Sequence, residues 1–124
     1  MRQKAGEWIL VVEDDDETAR GLADVLGILG YRTRIASNGR IALEMLRSAP
    51  RTYCIVLLDI MMPVMDGWAF LDEQRKDATI SEIPVIIVSA VLNAAVRSSG
   101  TPAVDVIPKP VDSVRLSTAI ARYC

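Results

Sequence analysis

Short apolar runs alternate with helically spaced segments along the whole chain. Two of the runs, Ile9–Val12 and Tyr53–Leu58, are apolar throughout and rich in β-branched residues and leucine. Runs of this length and composition are typical of strands that are buried on both faces of a parallel sheet. Together with Thr33–Ala36, Ile83–Val88 and Val104–Ile107 they make five predicted strands.

Segments with helical spacing lie between these strands and after the last one. The helices are predicted from about Asp16 to Leu29, from Asn38-Gly39 to Ala49-Pro50, from Gly67 to about Lys76, briefly over Leu92–Ser98, and from near Asp112 onward. Gly30 fits a left-handed cap after the first helix. Asn38-Gly39 is interpreted as a helix start and not as a hairpin turn, because the apolar residues after it recur with helical spacing.

This repeating strand–helix pattern predicts an α/β fold, with a doubly wound, five-stranded parallel sheet and helices on both faces. Pro108 falls in the fifth strand, and proline is tolerated mainly at sheet edges. The fifth strand is therefore predicted at an edge, as the strand order 2-1-3-4-5 requires. In such sheets, ligands bind beyond the carboxyl ends of the strands, at the switch point between strands 1 and 3.

Length and hydropathy indicate one domain over residues 1–124. The chain is 51% hydrophobic with a mean hydropathy of +0.27, so it can form a well-packed core. No apolar run approaches the roughly 20 residues that span a bilayer, and the few aliphatic residues after Met1–Lys4 do not resemble a signal peptide. We expect a cytoplasmic location without membrane association. Met1 together with a complete last helix favours a stand-alone chain, but a domain cut from a longer protein would have the same sequence.

Charge and residue usage exclude several classes of function. The net charge is −2 with a pI near 5.1 and no basic stripe, which disfavours direct binding to nucleic acid. The chain has no histidine, the commonest ligand of transition metals, so a metal bound through oxygen is the natural candidate. Cys54 falls in a predicted buried strand and Cys124 is the last residue, so neither a disulfide framework nor a zinc site is expected.

Charged residues follow three of the predicted strands at the point where each strand ends. Glu13–Asp16 follow the first strand, Asp59 ends the third, and Lys109 follows the fifth. A cluster of this kind can bind a divalent cation and handle a phosphoryl group. Alone, Glu13–Asp16 could be a solvated acidic run that favours a helix N-terminus, Asp59 a strand-end cap, and Lys109 a surface lysine. Their coincidence at the strand ends favours the site.

The chain resembles the receiver domains of bacterial two-component response regulators over essentially its whole length. The matching motifs, in register, are Val11-Val12-Glu13-Asp14-Asp15, Ala36-Ser37-Asn38-Gly39, Leu58-Asp59-Ile60-Met61-Met62-Pro63-Val64-Met65-Asp66-Gly67, Val88-Ser89-Ala90 and Lys109-Pro110. The resemblance implies the flavodoxin-like fold with strand order 2-1-3-4-5 that is known for this family.

The resemblance also implies a role for each residue of the cluster. Asp59 would accept a phosphoryl group from a phosphohistidine on a sensor kinase or phosphotransfer protein. Mg²⁺ would be held by Glu13, Asp14, Asp59 and the backbone carbonyl of Met61. Ser89 would donate a hydrogen bond to a phosphoryl oxygen, Lys109 would pair with the phosphoryl charge, and the Lys109-Pro110 peptide bond would be cis.

Such a domain catalyses only its own phosphorylation and dephosphorylation, and it signals to a downstream effector protein or domain. Two departures from the family pattern affect these expectations. Val106 stands where the family commonly has an aromatic residue, so we hypothesise that output coupling uses Ser89 and the Val91–Pro102 segment instead. Met61 and Val91 occupy the two positions that tune dephosphorylation, and because both are apolar we expect a long-lived phosphoryl group.

Three alternatives are compatible with parts of the sequence. A pseudo-receiver would bind partners without being phosphorylated, but the complete set of charged residues argues against it. An aspartate-nucleophile phosphatase of the haloacid dehalogenase type would need an acid where this chain has Met61. A flavin-binding protein is disfavoured because the acidic loop after the first strand would repel a phosphate group.

Overall fold

Five parallel strands form one sheet in the computed structural model, which describes residues 6–90 and 100–124. The strands are β1 (Trp8–Val12), β2 (Arg32–Ala36), β3 (Tyr53–Leu58), β4 (Val85–Ser89) and β5 (Ala103–Pro108). Their order is β2-β1-β3-β4-β5, which confirms the predicted order. Pro108 is thus on an edge strand, where the missing backbone N–H interrupts no ladder on the outer side.

Four helices lie within the described residues. They are α1 (Asp16–Ile28), α2 (Gly39–Ser48), α3 (Gly67–Lys76) and α4 (Ser113–Ala121). The predicted bounds of β3 and α3 are reproduced, and the other described strands and helices differ from prediction by one or two residues. The predicted helix over Leu92–Ser98 lies outside the described residues. None of the described helices is both long and apolar enough to cross a membrane.

Side-chain caps fix where three of these helices begin. The side chain of Asn38 accepts a hydrogen bond from the amide of Ile41 at 2.9 Å, which confirms that Asn38-Gly39 starts a helix. Asp66 and Asp112 cap α3 and α4 in the same way. A cap of this type stabilises a helix by about 1 kcal/mol. Gly30 follows α1 with a φ of +93°, the left-handed conformation that was predicted for it.

The side chains of the central strands alternate between two hydrophobic cores, one on each face of the sheet. Leu10, Val56 and Ile87 belong to the core beneath α2 and α3. Ile9 and Leu57, one position away, belong to the core beneath α1 and α4. Because successive residues of a strand point to opposite faces, a strand buried on both sides must be apolar at every position. This requirement explains the uninterrupted apolar runs of the sequence.

A buried glutamine determines where β4 begins. The side-chain amide of Gln74 on α3 donates to the carbonyls of Ile80 at 3.0 Å and Ile83 at 2.9 Å. These bonds hold the segment before Pro84 in a turn, so the strand begins at Val85 and not at Ile83 as predicted. Ile83 is therefore buried without being part of the strand.

Replacing Gln74 with methionine should lower the free energy of unfolding by about 1 to 3 kcal/mol, because the carbonyl of Ile83 loses its donor and that of Ile80 keeps only the backbone amide of Ile83. Urea unfolding monitored by circular dichroism measures this change. Arg75→Met, an exposed position on the same helix, is the matched control and should cost less than about 0.5 kcal/mol. Equal losses in the two variants would show that the hydrogen bonds of Gln74 do not stabilise the turn.

The prediction that the two cysteines form no disulfide is wrong. Cys54 and Cys124 are bonded, with their Cα atoms 5.5 Å apart, although they are 70 positions apart in the sequence. Cys54 faces the core beneath α1 and α4, and the residues after α4 pack against that core. Sequence spacing alone could not reveal this proximity, because it arises only when α4 returns across the sheet to the beginning of β3.

Candidate functional site

The pairing of β1 with β3 brings the carboxylates of the site together. Val12 pairs with Leu58 at the ends of the two strands, and the amide of Asp59 donates to the carbonyl of Val12 at 3.0 Å. Glu13, Asp14 and Asp59 each offer a carboxylate oxygen, and these oxygens lie within 4.8 Å of one another. Glu13 and Asp59 are buried, at 5% and 8% exposure, whereas Asp14 is exposed.

Lys109 brings a positive charge to these carboxylates from the far edge of the sheet. Its Nζ lies 3.1 Å from Glu13 Oε1 and 3.7 Å from Asp59 Oδ1. The peptide bond to Pro110 is cis, as the family resemblance implied. The structure thus joins three of the strand-end residues that the sequence singled out, and it places Lys109 closer to Glu13 than to Asp59.

Ser89 lies at the carboxyl end of β4, between the strands that carry Asp59 and Lys109. It is 2% exposed, and its carbonyl accepts a hydrogen bond from the backbone amide of Lys109 at 3.1 Å. Ser89 also pairs with Pro108 in the β4–β5 register. The backbone at the end of β4 therefore helps to fix the position from which the Lys109 side chain starts.

The loop after Asp59 folds back on itself and positions its carboxylate. The amide of Met61 donates to Asp59 Oδ1 at 3.3 Å, and the amide of Gly67 donates to the carbonyl of Ile60 at 2.9 Å. A Cβ atom at position 67 would lie 2.7 Å from the Cα of Ile60, so only glycine fits there. The sequence predicts a helix start at Gly67, but the role of this glycine in closing the loop depends on a contact that the sequence does not display.

Charge imbalance makes this cluster suitable for a cation. Three carboxylates face one ammonium group, and two like charges about 4 Å apart repel by roughly 4 kcal/mol at an effective dielectric constant of 20. Burial, together with the neighbouring carboxyl group of Asp59, raises the pKa of Glu13 to about 7. Partial burial would lower the pKa of Lys109, but its hydrogen bond to Glu13 and the charge of Asp59 outweigh that effect and raise it.

The second oxygen of Glu13 provides a test of whether a metal fits. Glu13 Oε2 is buried and accepts no hydrogen bond in the described structure. A buried carboxylate oxygen without a partner is costly, and a hard cation such as Mg²⁺ would supply the missing interaction. The donors are carboxylate oxygens, and Asp14 is exposed, so water can reach the site. Mg²⁺ prefers carboxylate and water ligands of this kind. The residues present therefore fit this metal.

A cavity of about 290 Å³ lies beside the carboxylates, between α1 and α4. Glu13, Asp59 and Lys109 contribute its polar part, and apolar side chains such as Leu22 and Leu116 contribute its walls. The cavity leaves space next to Asp59 for an incoming group.

Comparison with known proteins identifies the family. A sequence model described as the response regulator receiver domain matches residues 9–121. The chain belongs to the response regulator receiver domain family. This match confirms the resemblance seen in the sequence. Receiver domains of this family occur in two-component systems.

Curated relatives include both regulators and a kinase. The chain is 33% identical over 114 residues to the regulatory protein AtoC of Escherichia coli, covering 92% of this chain and 24% of that protein. It is 36% identical over 116 residues to the probable transcriptional regulator ycf27 of Porphyra purpurea, covering 92% and 46%. It is 31% identical over 124 residues to the sensor histidine kinase CheAY of Helicobacter pylori, covering 98% and 15%. The chain spans less than half the length of each of these relatives.

Solved structures show the same fold. The receiver domain of a signal transduction histidine kinase from Syntrophus aciditrophicus superposes with a TM-score of 0.84 at 32% identity, covering 95% of this chain and 89% of that one. The chemotaxis protein CheY4 of Vibrio cholerae gives a TM-score of 0.84 at 22% identity, covering 97% and 100%, and shows a shared fold. The predicted doubly wound α/β fold is confirmed. The roles of individual residues and the cytoplasmic location stay predictions.

Val64, in the loop after Asp59, has a left-handed backbone conformation with a φ of +69°. A β-branched residue is strained in this region, at a cost of order 1 to 3 kcal/mol, whereas asparagine tolerates it. Val64→Asn should therefore raise the free energy of unfolding by about 1 kcal/mol in chemical denaturation. Val114→Asn, at an equally exposed position in α4, is the control and should give no gain. A gain in both variants would show that surface polarity, and not backbone strain, is responsible.

Proposed function

We propose that this domain is a phosphoacceptor in a two-component or phosphorelay system and that Asp59 is the modified residue. The observation that carries the proposal is the convergence of Glu13, Asp14 and Asp59 with the ammonium group of Lys109, which lies 3.7 Å from Asp59 Oδ1. This cluster combines a nucleophilic carboxylate with groups that can neutralise an incoming anion. No observation on the described residues favours the pseudo-receiver alternative.

In the proposed reaction, a carboxylate oxygen of Asp59 attacks the phosphorus atom of a phosphohistidine. The new oxygen–phosphorus bond forms as the phosphorus–nitrogen bond breaks, and the leaving imidazole takes the electron pair. Lys109 pairs with the phosphoryl oxygens, and the hydroxyl of Ser89 donates a hydrogen bond to one of them. Phosphoryl transfer needs alignment and charge neutralisation more than covalent assistance, so these few groups suffice.

Glu13, Asp14, Asp59 and the backbone carbonyl of Met61 would hold Mg²⁺. When bound, this ion neutralises charge on the phosphoryl oxygens and on the carboxylates around them. Glu13 Oε2, which has no hydrogen-bond partner, is the donor that gains most from the ion. The fixed loop between Asp59 and Gly67 keeps the backbone around Met61 close to the carboxylates.

The proposed partners are a sensor kinase or phosphotransfer protein and a downstream effector. Relatives of this chain are named as a sensor histidine kinase and as transcriptional regulators, which supports partners of both kinds. Phosphorylation would act by shifting the population between two surface conformations. With Val106 in place of an aromatic residue, we propose that Ser89 and the Val91–Pro102 segment carry the shift. An aromatic ring elsewhere that changes its environment on phosphorylation would contradict this.

Incubation with acetyl phosphate and Mg²⁺ tests the proposed function. The wild-type domain should gain the mass of one phosphoryl group, whereas Asp59→Asn should gain none. Asp24→Asn, an exposed carboxylate on α1, is the matched control and should behave as the wild type. Labelling of Asp59→Asn to the wild-type extent would overturn the assignment. Wild-type protein that is not labelled and does not bind beryllofluoride would instead favour the pseudo-receiver.

The phosphoryl group on Asp59 should persist for minutes or longer in the absence of a phosphatase. Met61 is 70% exposed and apolar, so its side chain cannot orient a water molecule for attack. Val91, the second tuning position, lies outside the described residues. Met61→Asn should shorten the phosphoryl lifetime several-fold, measured by intact mass spectrometry over time. Val64→Asn places the same side-chain amide nearby in the loop and should leave the phosphoryl lifetime unchanged. If both variants shorten this lifetime equally, the proposed role of position 61 is wrong.

A further inference from the structure

The two cysteines lie at the opposite end of the strands from Asp59, and the proposed phosphorylation chemistry does not use them. Cys54 is near the start of β3, and Cys124 follows the last turn of α4. We propose that they form a reversible thiol–disulfide site, which exchanges with low-molecular-weight thiols and disulfides. In the disulfide form the end of α4 is held on the sheet, and in the dithiol form it is released.

The placement of the two sulfur atoms suits stepwise exchange. Cys54 is 1% exposed, whereas Cys124 is only partly buried, so a small thiolate can reach Cys124 first. A cavity of about 540 Å³ lies next to the bridge and is lined in part by Cys54 and Tyr123. Accessibility of one sulfur decides whether a disulfide is an exchange site or an inert cross-link. This bridge joins a partly exposed residue, Cys124, to a buried one, Cys54, which borders the cavity.

The structure around Cys54 accommodates the reduced state as well as the disulfide. Its Sγ lies 3.5 Å from the backbone carbonyl oxygen of Trp8, and a free thiol at this position can donate a weak hydrogen bond to that oxygen. The remaining neighbours of Cys54 are apolar core residues, among which a thiol packs as a small hydrophobic group. Reduction therefore leaves no buried polar group without a partner at Cys54.

The end of α4 has its own contacts, so reduction should loosen it without unfolding the domain. The amides of Tyr123 and Cys124 both donate to the carbonyl of Ile120, at 2.9 and 3.0 Å. Leu116 and Ile120 are buried against the sheet and anchor the helix independently of the bridge. The change is thus confined to the segment after Ile120, which the disulfide cross-links to β3.

The oxidant in the proposed exchange is a low-molecular-weight disulfide. The thiolate of Cys124 attacks one sulfur of that disulfide and expels a thiolate, which leaves a mixed disulfide on Cys124. The thiolate of Cys54 then attacks the Cys124 sulfur and expels the second thiolate. Two protein thiols lose two electrons and two protons, and the small disulfide becomes two thiols. Reduction is the reverse sequence, started by attack of a small thiol on the Cys124 sulfur.

Equilibration of the whole chain in reduced and oxidised glutathione, followed by alkylation and mass spectrometry, tests the exchange. The dithiol and disulfide forms should interconvert across the glutathione series, and Cys54→Ala should accumulate a mixed disulfide with glutathione on Cys124. Cys124→Ser, whose remaining thiol is buried, is the matched control and should accumulate little mixed disulfide with glutathione. Thiols that stay alkylatable at every ratio, or a bridge that is never reduced while the protein is folded, would each overturn the proposal.

Hydrogen exchange of the two forms tests the release of α4. The amides of residues 121–124 should exchange about tenfold faster or more in the dithiol form and in Cys124→Ser, as expected for local opening. The amides of β3 should exchange at the same rate in both forms. If the amides after Ile120 exchange at the same rate in the disulfide and dithiol forms, the proposed release of α4 is wrong. Faster exchange throughout β3 in the dithiol form would show a general loss of stability instead. Acetyl phosphate labelling of Asp59 is read separately, so the two proposals can fail independently.

Discussion

The pairing of β1 with β3 at their carboxyl ends is the constraint on which the site depends. The bond from the amide of Asp59 to the carbonyl of Val12 continues the ladder beyond the strands and forces two acidic loops together. Negative charge concentrated in this way is unfavourable by itself, and Lys109 neutralises only part of it. The energy of the apolar sheet holds the carboxylates in place, and the residual negative charge is what would attract a cation.

The two ends of the sheet have contrasting chemistry. At the carboxyl ends, buried charged groups and a tightly closed loop between Asp59 and Gly67 create a site with fixed geometry. At the other end, a sulfur bridge joins β3 to the residues after α4. Because β3 carries both Cys54 and, after its last residue, Asp59, one rigid strand connects the two regions. Their proposed chemistries are nevertheless different, and each has its own accessible group.

Predictions from the sequence were most accurate where local chemistry decides the structure. The bounds of β3 and α3 follow from an unbroken apolar run and from the Asp66 cap, both of which are visible in the sequence. Predictions failed where a distant side chain intervened. Gln74 captures the carbonyls of Ile80 and Ile83, which delays the start of β4 until Val85. Nothing in the apolar run itself signals that contact.

The sequence by itself determined the fold class and the set of strand-end charges, because twice-buried strands must be apolar at every position and charged residues can follow only where the strand ends. The strand order came from the resemblance to receiver domains, and the edge position predicted from Pro108 agrees with it. Only the tertiary structure decided that Lys109 lies nearer to Glu13 than to Asp59 and that Gly67 closes the loop. It alone also brought Cys124 to Cys54 across 70 positions. Such contacts depend on where separate elements meet in space, and local patterns carry no information about that distance.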